Sequence, residues 1–205
     1  MGPRIPSHRE REGCSERDTC LEYTPHHFFT QQRWCGVYHG MMSTEEERVI
    51  VGILHNIRSQ HNVGSMFRTA DAAGLEHMYL VGYTPSPTDK FGRKTKEITK
   101  TALGAEEMIP WSSHEDLDTL LTSLHGEGFQ IVICEVDTGK GKNYDEIAYG
   151  DKVALVVGNE VEGVPGGSIG QADVVLEIPL YGAKESLNVA VAFGIALYGV
   201  RRSSV

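Results

Sequence analysis

Three short stretches of this sequence carry the polar residues best suited to chemistry, and each follows an apolar run of strand length. Asn56, Arg58 and Asn62 come after residues 49–54, Gly158, Asn159 and Glu160 after 153–157, and the loop from Gly182 to Asn188 after 174–178. Ser186 stands where the N-cap of a following helix falls. Its hydroxyl would either satisfy a helix N–H or face a ligand gathered at that positive helix end, with capping favoured on this feature alone. Asn188 is an amide among apolar neighbours, so it must be hydrogen-bonded or carry a desolvation penalty. A satisfied structural amide and a site role are equally open for it. Three of the usual templates are absent: there is no GxGxxG after a strand, no GxxxxGK[ST] and no HExxH.

The elements that must position these clusters follow from the apolar pattern. Val49 to Leu54 is a nearly continuous apolar run, as in a parallel strand covered on both faces. A helix over 62–73 follows, with Val63, Met66, Phe67 and Ala70 on one face and Gly74 as its stop. Strands are expected at 77–81, 108–111, 129–136, 153–157 and 174–178. A turn-rich segment over 82–92 leads into a short helix ending near Leu103. Ser112 and Glu115 resemble a capping box opening a helix through Leu117, Leu120, Leu121 and Leu124. The last helix, from Leu187 to about Arg202, is apolar on nearly every face, which requires a core or a subunit interface. Strands alternating with helices predict an α/β fold, a parallel sheet flanked by helices, in which ligands sit beyond the carboxyl ends of the strands.

The chain has 205 residues and a formal charge of -9, which on its face opposes a phosphate-backbone partner. Yet Lys90, Arg93, Lys94, Lys96 and Lys100 gather in one segment, either as a solvated loop or as a cationic patch. Residues 1–40 show no apolar periodicity and are expected to form a disordered extension ahead of one domain over 41–205. Four cysteines in a chain of this length suggest a reducing compartment rather than a disulfide scaffold, and no metal-binding spacing is evident. No run is long enough to span a membrane and no secretory signal is seen, so a soluble, cytoplasmic protein is expected.

Taken together, NIRSQHNVGSMFRTADAAG (56–74), VALVVGNEVEGV (153–164) and IPLYGAKESLNVAVAFGIALY (178–198) resemble, in order and spacing, the SpoU/TrmH family of the SPOUT superfamily, RNA ribose 2'-O-methyltransferases. The resemblance implies a deep C-terminal trefoil knot over about 153–200 and a homodimer built on the last helix. It implies S-adenosylmethionine held against backbone near Val136, Val157, Gly158, Asn159, Glu160, Ile178, Pro179, Leu180 and Leu187. One departure is visible: Asn159 stands where many relatives carry Ser, and Val161 where Gly is frequent.

The same resemblance implies Arg68 as activator of the hydroxyl, with Asn62 positioning it. Because a guanidinium does not readily give up its proton, Arg68 is assigned instead to stabilising a developing alkoxide and holding phosphate, with a phosphate oxygen or water taking the proton. Ser186 would bind phosphate or nucleotide, Asn188 would hold the loop and Glu160 would brace the network. The RNA substrate, tRNA ahead of rRNA, would meet Arg58, Arg68, Lys90, Arg93 and Lys94. The alternatives are a knotted RNA-binding protein without catalysis and a base-methylating relative.

Overall fold

The computed structural model describes residues 48–136, 139 and 141–202. The expected extension over 1–40, with Cys14, Cys20 and Cys35, lies outside the described residues. In chain order the elements are β1 (Val49–His55), α1 (Gln60–Ala73), β2 (His77–Val81), α2 (Lys96–Ala102), α3 (Ala105–Met108), β3 (Trp111–His114), α4 (Leu117–Gly126), β4 (Gln130–Cys134), β5 (Lys142–Asn143), β6 (Lys152–Val157), α5 (Gly166–Ile169), β7 (Val174–Glu177) and α6 (Val189–Arg202). The strands form one sheet in the order β3-β2-β1-β6-β4-β7-β5, and every pairing is parallel.

Side chains of successive strand residues point to opposite faces, and both faces of this sheet are covered. Ile50 and Leu54 of β1 pack with Phe67 of α1 and Phe193 of α6, whereas Val51 and Ile53 pack with Leu121 and Leu124 of α4. Gly52 is needed for the first of these layers. A Cβ there would stand 2.9 Å from Met78 Sδ and 3.4 Å from Phe193 Cε2, so its absence lets α6 settle on the sheet. At the far end of α6, Arg201 donates to the Ala73 and Gly74 carbonyls at 3.0 and 2.7 Å, tying the last turn of α6 to the end of α1.

Among the helix and strand boundaries that differ from the sequence expectation, three have a clear local cause. Asp116, not Ser112, caps α4: its Oδ1 accepts from Thr119 N at 2.8 Å, while Ser112 lies in β3, paired with Tyr79. The strand expected over 108–111 begins only at Trp111, because Pro110 has no N–H for the ladder and offers only its carbonyl, to Met78 N at 2.9 Å. α6 begins at Val189, two residues later than expected, since Asn188 takes the capping position.

Since all strands run one way, the loops after β1, β4, β6 and β7 gather along one edge of the sheet. That edge holds all three polar clusters.

Candidate active site

Asn188 is the hinge of the site. Its backbone carbonyl accepts from Val191 N and Ala192 N, the first bonds of α6, and its Oδ1 accepts from Ala190 N at 2.9 Å. This is N-cap geometry, and it leaves the amide Nδ2 to donate to Asn62 Oδ1 at 3.2 Å. Asn62 in turn donates from Nδ2 to Glu160 Oε1 at 2.8 Å. One chain of side-chain hydrogen bonds therefore joins the three clusters, from residues 126 and 98 apart in sequence. Asn62 is itself fixed, because Ser59 caps α1 by accepting from Asn62 N at 3.3 Å. Ser186 is exposed, makes no capping bond, and has no hydrogen-bond partner among the described residues.

The loop after β6 is held by two side chains. Asn159 is buried and uses its whole hydrogen-bonding capacity: Nδ2 donates to Asn56 O at 3.0 Å and Tyr83 Oη at 2.8 Å, and Oδ1 accepts from Val161 N and Glu162 N at 2.8 and 3.0 Å. Glu135, in the loop that the family resemblance expects to close the pocket, anchors the far side. Its Oε2 accepts from Val164 N at 2.9 Å and its Oε1 from Val136 N at 3.0 Å. At Gly158, where the resemblance implies cofactor against the backbone, a Cβ would lie 2.5 Å from the Gly163 carbonyl carbon, so the loop itself also requires glycine there.

Between these loops lies a cavity of about 650 Å3. Val136, Val157, Gly158, Asn159, Glu160, Ile178, Leu180 and Leu187 line it, joined by Ser186 and by Cys134, Glu135 and Val189. Pro179 does not line it. Val157 and Val189 supply buried apolar wall, while Glu135 and Glu160 add carboxylates to the lining, a mixture suited to a ligand with both apolar and cationic parts. Burial pushes the Cys134 thiol up to about 12, so this wall presents a neutral thiol rather than a competing nucleophile.

None of the expected cations lines this cavity. Arg68 is exposed on α1, six residues beyond Asn62 and so about 120° round the helix at 100° per residue, and makes no hydrogen bond or ion pair among the described residues. Arg58 lines a neighbouring cavity. Lys90, Arg93 and Lys94 sit on the loop between β2 and α2, where Arg93 pairs with Asp89 at 2.7 Å and Lys94 with Glu107. The Glu107 partner holds the Lys94 ammonium above its ordinary range. Phe91, which no sequence pattern singles out, is 70% exposed at the tip of this loop, with Lys90 5.2 Å and Arg93 5.1 Å from its ring centroid. Among the described residues there is no cluster able to hold a metal ion, and no helix is long and apolar enough to cross a membrane.

A parallel α/β sheet with three polar loops converging on one cavity defines a ligand-binding class, and comparison with known proteins narrows it. The model of the SpoU rRNA methylase family matches residues 49–198, and the chain belongs to that family. It is 36% identical over 149 residues to the 23S rRNA (guanosine(2553)-2'-O)-methyltransferase of Bacillus subtilis, covering 73% of this chain and 56% of that protein. To the tRNA (guanosine(18)-2'-O)-methyltransferase of Aquifex aeolicus it is 31% identical, over 77% of this chain and 71% of that protein. The matched stretch is thus little more than half the length of the Bacillus relative. Among solved structures, the AdoMet-bound rRNA methyltransferase from Sinorhizobium meliloti aligns with a TM-score of 0.68 and 29% identity, over 78% of this chain and 58% of that one.

Proposed function

We propose that this chain transfers the methyl group of S-adenosylmethionine to a ribose 2'-OH of RNA. The observation that carries the reading is the Asn188–Asn62–Glu160 relay at the rim of the cavity, in a chain of the SpoU family. The residues lining that cavity suit the cofactor: apolar wall at Val157 and Val189 for the adenosine, and carboxylates at Glu135 and Glu160 for a cationic sulfonium and ammonium. When bound, the cofactor supplies an activated methyl group and its own leaving group, so the protein must orient the reactants and dispose of one proton. Asn62 is held at both ends by the relay, which fixes it for a hydrogen bond to the ribose. Arg68, without a partner among the described residues, is available to a backbone phosphate and to the developing alkoxide. The 2'-oxygen gains the methyl group and loses its proton to a phosphate oxygen or water.

Val191 and Tyr198 are 51% and 44% exposed, and with Gly194 they fall at helical spacing along one side of α6. This stripe is the proposed homodimer face; Val191→Lys should shift the sedimentation of the protein to a monomer, and an unchanged value would remove the stripe from the interface. The segment 153–200 is proposed to thread a trefoil knot. Transfer RNA is the first substrate to try, met by Arg58 and the Lys90–Lys94 loop. Replacing Lys90, Arg93 and Lys94 by Ala should flatten the salt dependence of RNA binding, by about 0.7–0.9 in log–log slope for each phosphate no longer neutralised, and an unchanged slope would reject that surface.

The direct test of the pocket is calorimetric titration with S-adenosylmethionine. Binding that is abolished by Gly158→Val, whose side chain would displace the Gly163 backbone, supports the reading. No binding to the folded wild-type protein would overturn it.

A further inference from the structure

Beside the first cavity lies a second, of about 670 Å3, that shares Asn159 and Val161 with it and is walled by Arg58, Tyr83, Pro85 and Glu162. Its architecture is unusually fixed for a surface feature. Tyr83 is 54% exposed yet held at both ends: its hydroxyl accepts from Asn159 Nδ2 at 2.8 Å, and its backbone N–H donates to Asn56 Oδ1 at 3.2 Å. Asn56 takes a left-handed conformation, φ 56°, to make that contact, and Gly82 beside it has φ 67°. Thr84 completes the frame, accepting from Ile57 N at 3.0 Å and reaching Leu54 O at 2.8 Å, so the start of the Arg58 loop is pinned to the Tyr83 segment. On the opposite wall Asn159 Oδ1 accepts from Glu162 N at 3.0 Å, while the Glu162 carboxylate is exposed without a partner among the described residues.

One buried amide therefore sets the spacing between an exposed aromatic ring and an exposed carboxylate. A shorter side chain at this position, such as serine, would have neither a second functional atom nor the length to reach Tyr83 and the amides of 161 and 162 together.

A rigid ring with an arginine beside it is a platform on which any nucleobase stacks. A carboxylate at the edge of such a platform accepts two parallel hydrogen bonds, and among the RNA bases only guanine presents two adjacent N–H donors, N1–H and the N2 amine, on one edge. The loop between the two cavities carries Glu160 and touches Asn62, so a ribose held there has the methyl-donor cavity on one side and this one on the other.

We infer that the second cavity takes the base of the nucleotide being methylated, with Tyr83 stacking against it and Glu162 selecting guanine. The inference rests on the methyltransferase reading for what happens to that nucleotide, but not for its binding.

Two measurements on the full chain separate the two. In the first, the protein is irradiated with unmodified total RNA and its nucleotide adducts are mapped by mass spectrometry. A guanosine adduct on Tyr83 is expected, and adducts confined to other surfaces, such as the Phe91 loop, would overturn the subsite whether or not methyl is transferred. In the second, transfer to the same RNA is compared across variants. Tyr83→Ala should lower kcat/KM for RNA about 10- to 100-fold with S-adenosylmethionine affinity unchanged, while Tyr83→Phe, which keeps the ring, should retain most of the rate. Glu162→Gln should spread the 2'-O-methylnucleoside products beyond guanosine. A Tyr83→Ala variant within twofold of wild type, or a wild-type product on another base, would overturn the assignment. Absence of transfer with a Tyr83 adduct present would instead retire the methyltransferase reading and leave the base site standing.

Discussion

Asn188 has two structural tasks that can be separated by mutation. As the N-cap of α6 its Oδ1 serves Ala190 N, and as the end of the relay its Nδ2 serves Asn62. Removing both with Asn188→Ala should cost about 1 kcal/mol of stability from the missing cap and release the Oδ1 end of Asn62, leaving its side chain held by Glu160 alone. Asn188→Ser keeps a capping oxygen but has no amide to reach Asn62. It should recover the stability measured by urea unfolding while leaving methyl transfer as low as in the alanine variant; recovery of both would show that Asn188 acts only as a cap. Ser186, expected from the sequence to be the cap, lines the cavity instead. The difference has a local cause: both residues can cap, and which one does depends on where α6 meets α1.

At the scale of elements, the strands are legible in the sequence and some of their connections are not. A parallel strand covered on both faces is a continuous apolar run, so 77–81 reads with its true ends, and 49–54 and 153–157 each fall one residue short. The frame behind the site is invisible because Asn159 contacts Asn56 and Tyr83, which lie 103 and 76 residues away. Local sequence carries no mark of such a pairing. The frame predicts its own weak point at Gly82, where φ is 67° and a Cβ would stand 2.0 Å from Asn56 Oδ1. Gly82→Ala should destabilise the protein by about 1–3 kcal/mol, read from denaturant unfolding, because it adds backbone strain and breaks the Asn56–Tyr83 contact. A change under a few tenths of a kcal/mol would mean that the β1 and β2 loops are not locked together.

For the molecule as a whole, two histidines link stability to pH. Burial lowers the pKa of His55, with Asp118 opposing, and its Nδ1 has no hydrogen-bond partner among the described residues; burial and then His114 lower that of His77. Both groups are depressed in the folded state from an ordinary value of 6.5, so the unfolded chain takes up protons first as pH falls. Their contribution should be constant above about pH 7 and should decline once pH drops below 6.5 toward the folded values. The Tm should therefore fall between pH 7 and pH 5, and the fall should shrink in a His55→Gln, His77→Gln double variant. An equal fall in that variant would assign the loss to other groups.

The same sheet that buries these histidines brings loops from the beginning, middle and end of the domain to one edge, and the proposed chemistry depends on that convergence. It is tested most directly by giving the wild-type protein labelled S-adenosylmethionine and RNA stripped of its modifications, then digesting the RNA and identifying the labelled nucleoside by mass spectrometry, with Arg68→Ala and Asn62→Ala alongside. The account predicts a label on the ribose as a 2'-O-methylnucleoside, lost in both variants. A label on the base, or an equal yield from the variants, would contradict it.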